Sequence, residues 1–112
     1  IRYITNMSPE TYFQLLNECR CLVGNSSSAI REGAFIGVPA INIGTRQSSR
    51  LKSKNTINAS YNVDKIYKSL KIQIKKLKYK SSNIYGNGNA AKNIISALKK
   101  LKKINIQKLN SY

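Results

Sequence analysis

The spacing of apolar positions along the chain changes several times, and each change predicts an element. IRYIT, residues 1–5, is short and β-branched and predicts a strand. Ser8-Pro9-Glu10 is a helix start: a serine that can cap, a proline suited to the first helical position, and a carboxylate at the positive end of the helix dipole. Tyr12, Leu15, Leu16 and Cys19 follow at helical spacing. CLVG, 21–24, predicts a short buried strand. A helix is expected from Ser28 to about Ile36, with Ile30, Ala34 and Phe35 turned inward and Gly37 ending it. PAINIG, 39–44, and TINAS, 56–60, read as two more strands, separated by the polar, basic loop TRQSSRLKSKN. From Val63 the period is helical again, through Ile66, Tyr67, Leu70, Ile74 and Leu77, which predicts a helix to about Lys78 with lysines on its other face. SSNIYGNGN, 81–89, is a loop. A last helix is expected over about 90–103, with Ile94, Ile95, Leu98 and Leu101 on one face, and 105–112 as a frayed tail.

Strands alternating with helices predict an α/β fold, a parallel sheet with helices on both faces. Ligands of such sheets lie beyond the carboxyl ends of the strands. Two polar loops fall there, 24–28 after one strand and 44–50 after the next, so they are expected to converge on one rim.

The first of these loops is GNSSS. A turn needs one or two such residues, and one serine suffices as a cap. At a helix start the first N–H groups lack intrahelical partners, and the dipole end is positive. Ser26, Ser27 and Ser28 can set hydroxyls beside them, and Gly24 lets the backbone approach closely. The set makes a phosphate cradle. It is neither a P-loop, since the lysine is missing, nor GxGxxG. The plainer alternative is a capping box at Ser28, but its reciprocal acid is absent, because Arg31 stands three residues on. Glu32 lies one turn after Ser28. A carboxylate there repels phosphate but suits a ribose diol; pairing with Arg31 or Arg46 is the other reading. Arg46 and Arg50 are placed to neutralise a diphosphate.

Composition narrows the chemistry. The 112 residues allow one domain and contain no histidine, so no Ser-His-Asp triad or Cys-His pair exists within them. The four acids, Glu10, Glu18, Glu32 and Asp64, are scattered. Cys19 and Cys21 are one residue apart and would point to opposite faces of a strand, so they are read as small buried residues, with no disulfide between them and no metal site. No apolar run approaches the roughly 20 residues of a membrane helix. The opening IRYITNMSPE is no signal peptide, and a start at Ile1 reads as a piece of a longer or processed chain.

The net charge is +16, unevenly spread. Residues 1–51 carry five Arg against three Glu, +2; residues 52–112 carry fifteen Lys against one Asp, +14. That asymmetry suits a module binding nucleic acid or an anionic surface. Yet the second half has no arginine, the residue that nucleic-acid readers favour, so a solvated lysine face is preferred and nucleic acid is not expected as a partner.

GNSSSAIREGAFIGVPAINIGTRQSSR, with the later IYGNGNAAKNI, resembles the C-terminal lobe of the hydrolysing UDP-N-acetylglucosamine 2-epimerases, most closely the sialic-acid branch. The likeness covers about residues 8–98. It implies two Rossmann-like lobes of the B-type glycosyltransferase kind, of which residues 1–104 would be part of the second and the N-terminal lobe would be absent. By position, the resemblance gives Ser26 and Ser27 the UDP diphosphate, Glu32 the ribose hydroxyls and Arg46 a place near the nucleotide. Gly24, Asn25, Ser28, Gln47 and Arg50 form a wider set. It implies no cofactor and no metal, a cytoplasmic protein, and oligomers of the whole protein. The implied reaction eliminates UDP across C1 and C2 of UDP-N-acetylglucosamine; water then adds to the glycal with C2 inverted. The catalytic acids, bases and histidine would lie in the absent lobe, leaving no catalytic residue here and the fragment inactive alone. An inactive gene remnant is the other alternative. Ala29 and Ser49 stand where the family usually has glycine, which would strain the loop if either position needs a positive φ.

Overall fold

The computed structural model describes residues 1–101; the expected end of the last helix and the tail over 105–112 lie outside the described residues. Three short parallel strands, β1 (Leu22–Gly24), β2 (Ala40–Ile43) and β3 (Thr56–Ala59), form one sheet in that order. Gly24 stands beside Asn42, and Asn42 beside Asn58. The chain is thus α/β with a Rossmann-like parallel sheet flanked by helices.

Helix α1 (Pro9–Glu18) begins as its sequence dictates. The Ser8 side chain accepts from the Thr11 N–H at 3.2 Å, and Pro9 takes the first position, where its missing donor costs nothing. The Glu10 carboxyl is held below its usual range, mainly by its own backbone N–H and then by the Ser8 hydroxyl. Leu16 is the buried residue of this helix; Leu15 is exposed. Cys19 and Cys21 are free and half-buried, and burial pushes both thiols up.

The helix expected over 28–36 is two pieces. A 3-10 turn, Ser27–Ala29, comes first, capped by Ser26 and not by Ser28. The backbone then kinks at Arg31 (φ −88°, ψ −76°) and α2 runs over Glu32–Ile36. Ile30 and Ala34 are buried as expected, but Phe35 is exposed, one position too far round to reach the sheet. Gly37 ends α2 in the left-handed region (φ 80°), and a Cβ there would stand 2.1 Å from the Tyr79 main-chain oxygen. Two reasons therefore require glycine at that position.

IRYIT is not a strand; residues 1–4 are exposed coil. Local β-propensity forms no strand without a neighbour to pair with. Helix α3 (Val63–Gln73) is capped by the Asn62 side chain, which accepts from Lys65 N–H at 3.0 Å. It stops five residues before Lys78, and its buried residue is Gln73. The Gln73 Nε2 donates to the main-chain oxygens of Ala40 (2.7 Å) and Asn55 (2.8 Å), and its Oε1 accepts from the Tyr79 hydroxyl at 2.8 Å. Beyond it the Tyr79 N–H donates to Gly37 O, drawing the chain under α2. Helix α4 (Ala90–Lys100) has the expected amphipathic pattern but no buried residue. The core lies between the sheet, α1 and α2: Leu16, Ala29, Ile30, Ala34, Val38, Ala40 and Ile41. Among the described residues no helix is long and apolar enough to cross a membrane.

Candidate functional site

The carboxyl ends of β1 and β2 present the two loops on one rim, as the strand order requires. Gly24 ends β1 with φ 153°, and nothing lies within 4 Å of where a Cβ would stand, so the backbone there is open to close approach. The serines follow. Ser26 Oγ accepts from the Ser28 N–H at 3.3 Å, and Ser27 O accepts from the N–H groups of Ile30 and Arg31 at 3.0 and 2.9 Å. The serine turn is a single 3-10 turn, so it offers the donors and dipole of one turn and not those of a full α-helix. Ala29 is buried in this turn. Neither it nor Ser49 has a positive φ, so neither residue strains its loop.

The turn is tied to the second loop. Gln47, 4% exposed, donates from Nε2 to the main-chain oxygen of Asn25 at 3.0 Å. Arg46 and Arg50 project from the same loop and are exposed. Asn25 is exposed beside the turn.

Ser28 and Glu32 meet across the kink: both line a cavity of about 510 Å³ whose other walls are Ile4 to Met7, Pro9, Tyr12 and Phe13. A second cavity of about 350 Å³ shares Phe13 and Glu32 and continues to Arg31, Phe35 and the Tyr85–Gly88 loop. Phe13 and Glu32 are thus the common walls. Among the described residues, the buried side-chain nitrogen and oxygen atoms with no hydrogen-bond partner are Glu32 Oε2, Asn42 Oδ1 and Gln47 Oε1. All three are acceptors: Glu32 walls the two cavities, Asn42 lies on β2 beside Gly24, and Gln47 lies on the loop after β2. Buried polar atoms are nearly always paired, so the unpaired Glu32 Oε2 on a cavity wall marks where a donor-bearing group fits. Asn42 is the member that sequence reasoning passed over. It lies 1% exposed beside Gly24, and its Nδ2 donates to Asn58 Oδ1 at 3.0 Å.

Sequence reasoning also missed the walls of the larger cavity, because it spent Ile4 and Thr5 on a strand and Tyr12 on the core. The available signal was the adjacency of Tyr12 and Phe13. Neighbouring helix positions are about 100° apart, so the two rings cannot both lie at the centre of one buried stripe.

The family model for UDP-N-acetylglucosamine 2-epimerase matches residues 1–99. A UDP-N,N'-diacetylbacillosamine 2-epimerase (hydrolyzing) of Legionella pneumophila is 32% identical over 99 residues, which is 88% of this chain and 26% of that protein. A UDP-N-acetylglucosamine 2-epimerase of Neisseria meningitidis serogroup B is 34% identical over 80 residues, 71% of this chain and 21% of that protein. A GDP/UDP-N,N'-diacetylbacillosamine 2-epimerase (hydrolyzing) of Campylobacter jejuni is 38% identical over 66 residues, 58% of this chain and 17% of that protein. The chain thus spans about a quarter or less of the length of these curated relatives. With the family model matching nearly all of its described residues, the chain belongs to the UDP-N-acetylglucosamine 2-epimerase family.

Proposed function

We propose that these residues are the nucleotide-binding part of a hydrolysing UDP-N-acetylglucosamine 2-epimerase, which converts UDP-N-acetylglucosamine and water to N-acetylmannosamine and UDP. Ser26 and Ser27 hold the diphosphate, with Arg46 offsetting its charge. Glu32 accepts hydrogen bonds from the two ribose hydroxyls. The cavity beside Tyr12 and Phe13 takes the uracil ring.

One observation carries this reading: the Glu32 Oε2, shut from solvent without a partner, sits on a residue that walls two cavities and adjoins Ser28. A carboxylate in that position needs hydroxyl donors, and a vicinal diol supplies two. A phosphate in the same place would be repelled. The separation of a diol-accepting acid from a hydroxyl-bearing turn suits a nucleoside diphosphate.

The reaction itself requires a proton to leave C2 as UDP leaves C1. Of the four acids in the sequence, only Glu32 walls these cavities. Glu18 is engaged with Gln14 at 3.3 Å. We assign proton transfer to groups outside these residues, so that the chain supplies binding and orientation of the leaving UDP. Two relatives carry N,N'-diacetylbacillosamine in their names, one of them with GDP beside UDP; UDP is the nucleotide that the three names share, and it is the one assigned to this rim. The protein works in the cytoplasm, where nucleotide sugars are made.

Isothermal titration of UDP into the whole protein tests the reading. Ser27→Ala and Glu32→Ala should each weaken UDP about tenfold or more, the scale of lost charge-assisted hydrogen bonds. Unchanged affinity in both variants overturns it.

A further inference from the structure

Gln47 has an arrangement that the nucleotide reading does not use. It sits in the loop after β2, yet its Nε2 donates to the main-chain oxygen of Asn25, 22 positions earlier, at 3.0 Å. That bond joins the turn bearing Ser26 and Ser27 to the loop bearing Arg46. The amide must be oriented this way, because the reverse sets two acceptors against each other. What remains is Oε1, buried and unpartnered, and the second hydrogen of Nε2. A carbonyl oxygen cannot donate to an ionised phosphate, which offers acceptors only. Oε1 is therefore unsuited to hold the diphosphate, and the one remaining Nε2 hydrogen is the only donor the Gln47 side chain has left for it.

We infer that Gln47 is a positioning residue. It staples the serine turn to the loop after β2 and so presets the spacing of the hydroxyls and the guanidinium that would flank a diphosphate. The inference rests on the nucleotide reading and deepens it. It divides the site in two: a diphosphate half that depends on the staple, and a nucleoside half, Glu32 and the cavity beside Tyr12, that does not. The staple draws its strength from burial. Gln47 is 4% exposed and the bond is part-buried, so its donor end is shielded from competing water and losing the donor removes the tie between the two loops.

The test compares UDP with uridine on the whole protein. Gln47→Met keeps the length of the side chain and removes its donor. The expected result is about a tenfold loss of UDP affinity, the scale of one buried hydrogen bond, with uridine affinity within about twofold of wild type. A change of less than about twofold for UDP overturns the inference. So does an equal loss for both ligands, which would make Gln47 a packing residue. Should Gln47→Met fail to fold, Gln47→Leu is read by the same ratio, since it removes the donor without adding a charge beside the diphosphate. Failure of the wild-type protein to bind UDP at all is a different outcome: it overturns the nucleotide reading, and the staple's role falls with it.

Discussion

Residues 21–59 and residues 63–100 carry similar apolar patterns and have opposite fates. The first stretch contains Ala29, Ile30, Ala34, Val38, Ala40, Ile41 and Ala59, all buried. In the second, α3 buries one residue, a glutamine, and α4 buries none. Ile94, Ile95, Leu98 and Leu101 form a clean stripe on α4 and are all more than half exposed. Periodicity shows which face of an element is apolar. It does not show what covers that face. In the first stretch the cover is built locally, because parallel strands three or four residues long lie against the turn and α2 that connect them. In the second nothing among the described residues supplies it.

The comparison predicts a steep gradient of mutational cost. Ile41 is fully buried at the centre of the middle strand. Ile41→Ala should cost about 2–5 kcal/mol, the usual range for emptying a core site of that size. The urea midpoint of the whole protein measures it. A loss below about 1 kcal/mol would mean that the sheet is not the organising core. Gln73 comes next. It is fully buried, and it holds α3 against the sheet with two donated bonds and one accepted bond. Gln73→Met keeps the volume but leaves two main-chain oxygens and the Tyr79 hydroxyl without that partner, for an expected loss of about 2–3 kcal/mol. If instead the variant is neutral, α3 is held by its exposed apolar residues and the contrast between the two regions dissolves.

Helix caps sharpen the comparison at a smaller scale. Asn62 caps α3 by accepting from Lys65 N–H, whereas Asn89 at the start of α4 makes no side-chain cap bond. Asn62→Ala should cost about 1 kcal/mol, and Asn89→Ala about zero. Equal losses in the two variants would contradict the cap assignment.

What was legible in the sequence was what neighbouring residues decide. Ser8-Pro9-Glu10 sets the start of α1, Gly37 the end of α2, and the three β-branched runs after residue 20 the strands. What was not legible depends on distant partners. IRYIT looks as β-prone as AINI, but only AINI has neighbours on both sides. Gln73 interrupts an apolar stripe, and its burial is explained only by carbonyls of Ala40 and Asn55, 33 and 18 positions away. At the site, GNSSS and Glu32 announced themselves by type and spacing. The cavity walls at Ile4–Met7 did not, since an irregular segment has no period to read. Ser26, and not Ser28, proved to be the cap because three serines in a row offer three candidates and the backbone selects one.

The smallest expected effect is the one that bears most directly on the comparison. Leu98 stands in the middle of the α4 stripe and is 56% exposed. Leu98→Ser should change stability by no more than about 0.5 kcal/mol, since a surface substitution away from caps and packed contacts rarely does more, and the loss in helix propensity alone is a few tenths. The same holds for Ile94→Ser on the neighbouring turn. Urea unfolding of the whole protein reads both. A loss of 2 kcal/mol or more, on the order of a buried leucine side chain, would show that the stripe packs against other parts of the protein. The two regions would then differ in where their cover comes from and not in whether they have one. The lysines flanking the stripe, Lys92, Lys99 and Lys100, would in that case serve to keep the outer face of a packed helix in water, and binding of DNA at physiological salt, already disfavoured by the absence of arginine from this half of the sequence, should not be detectable.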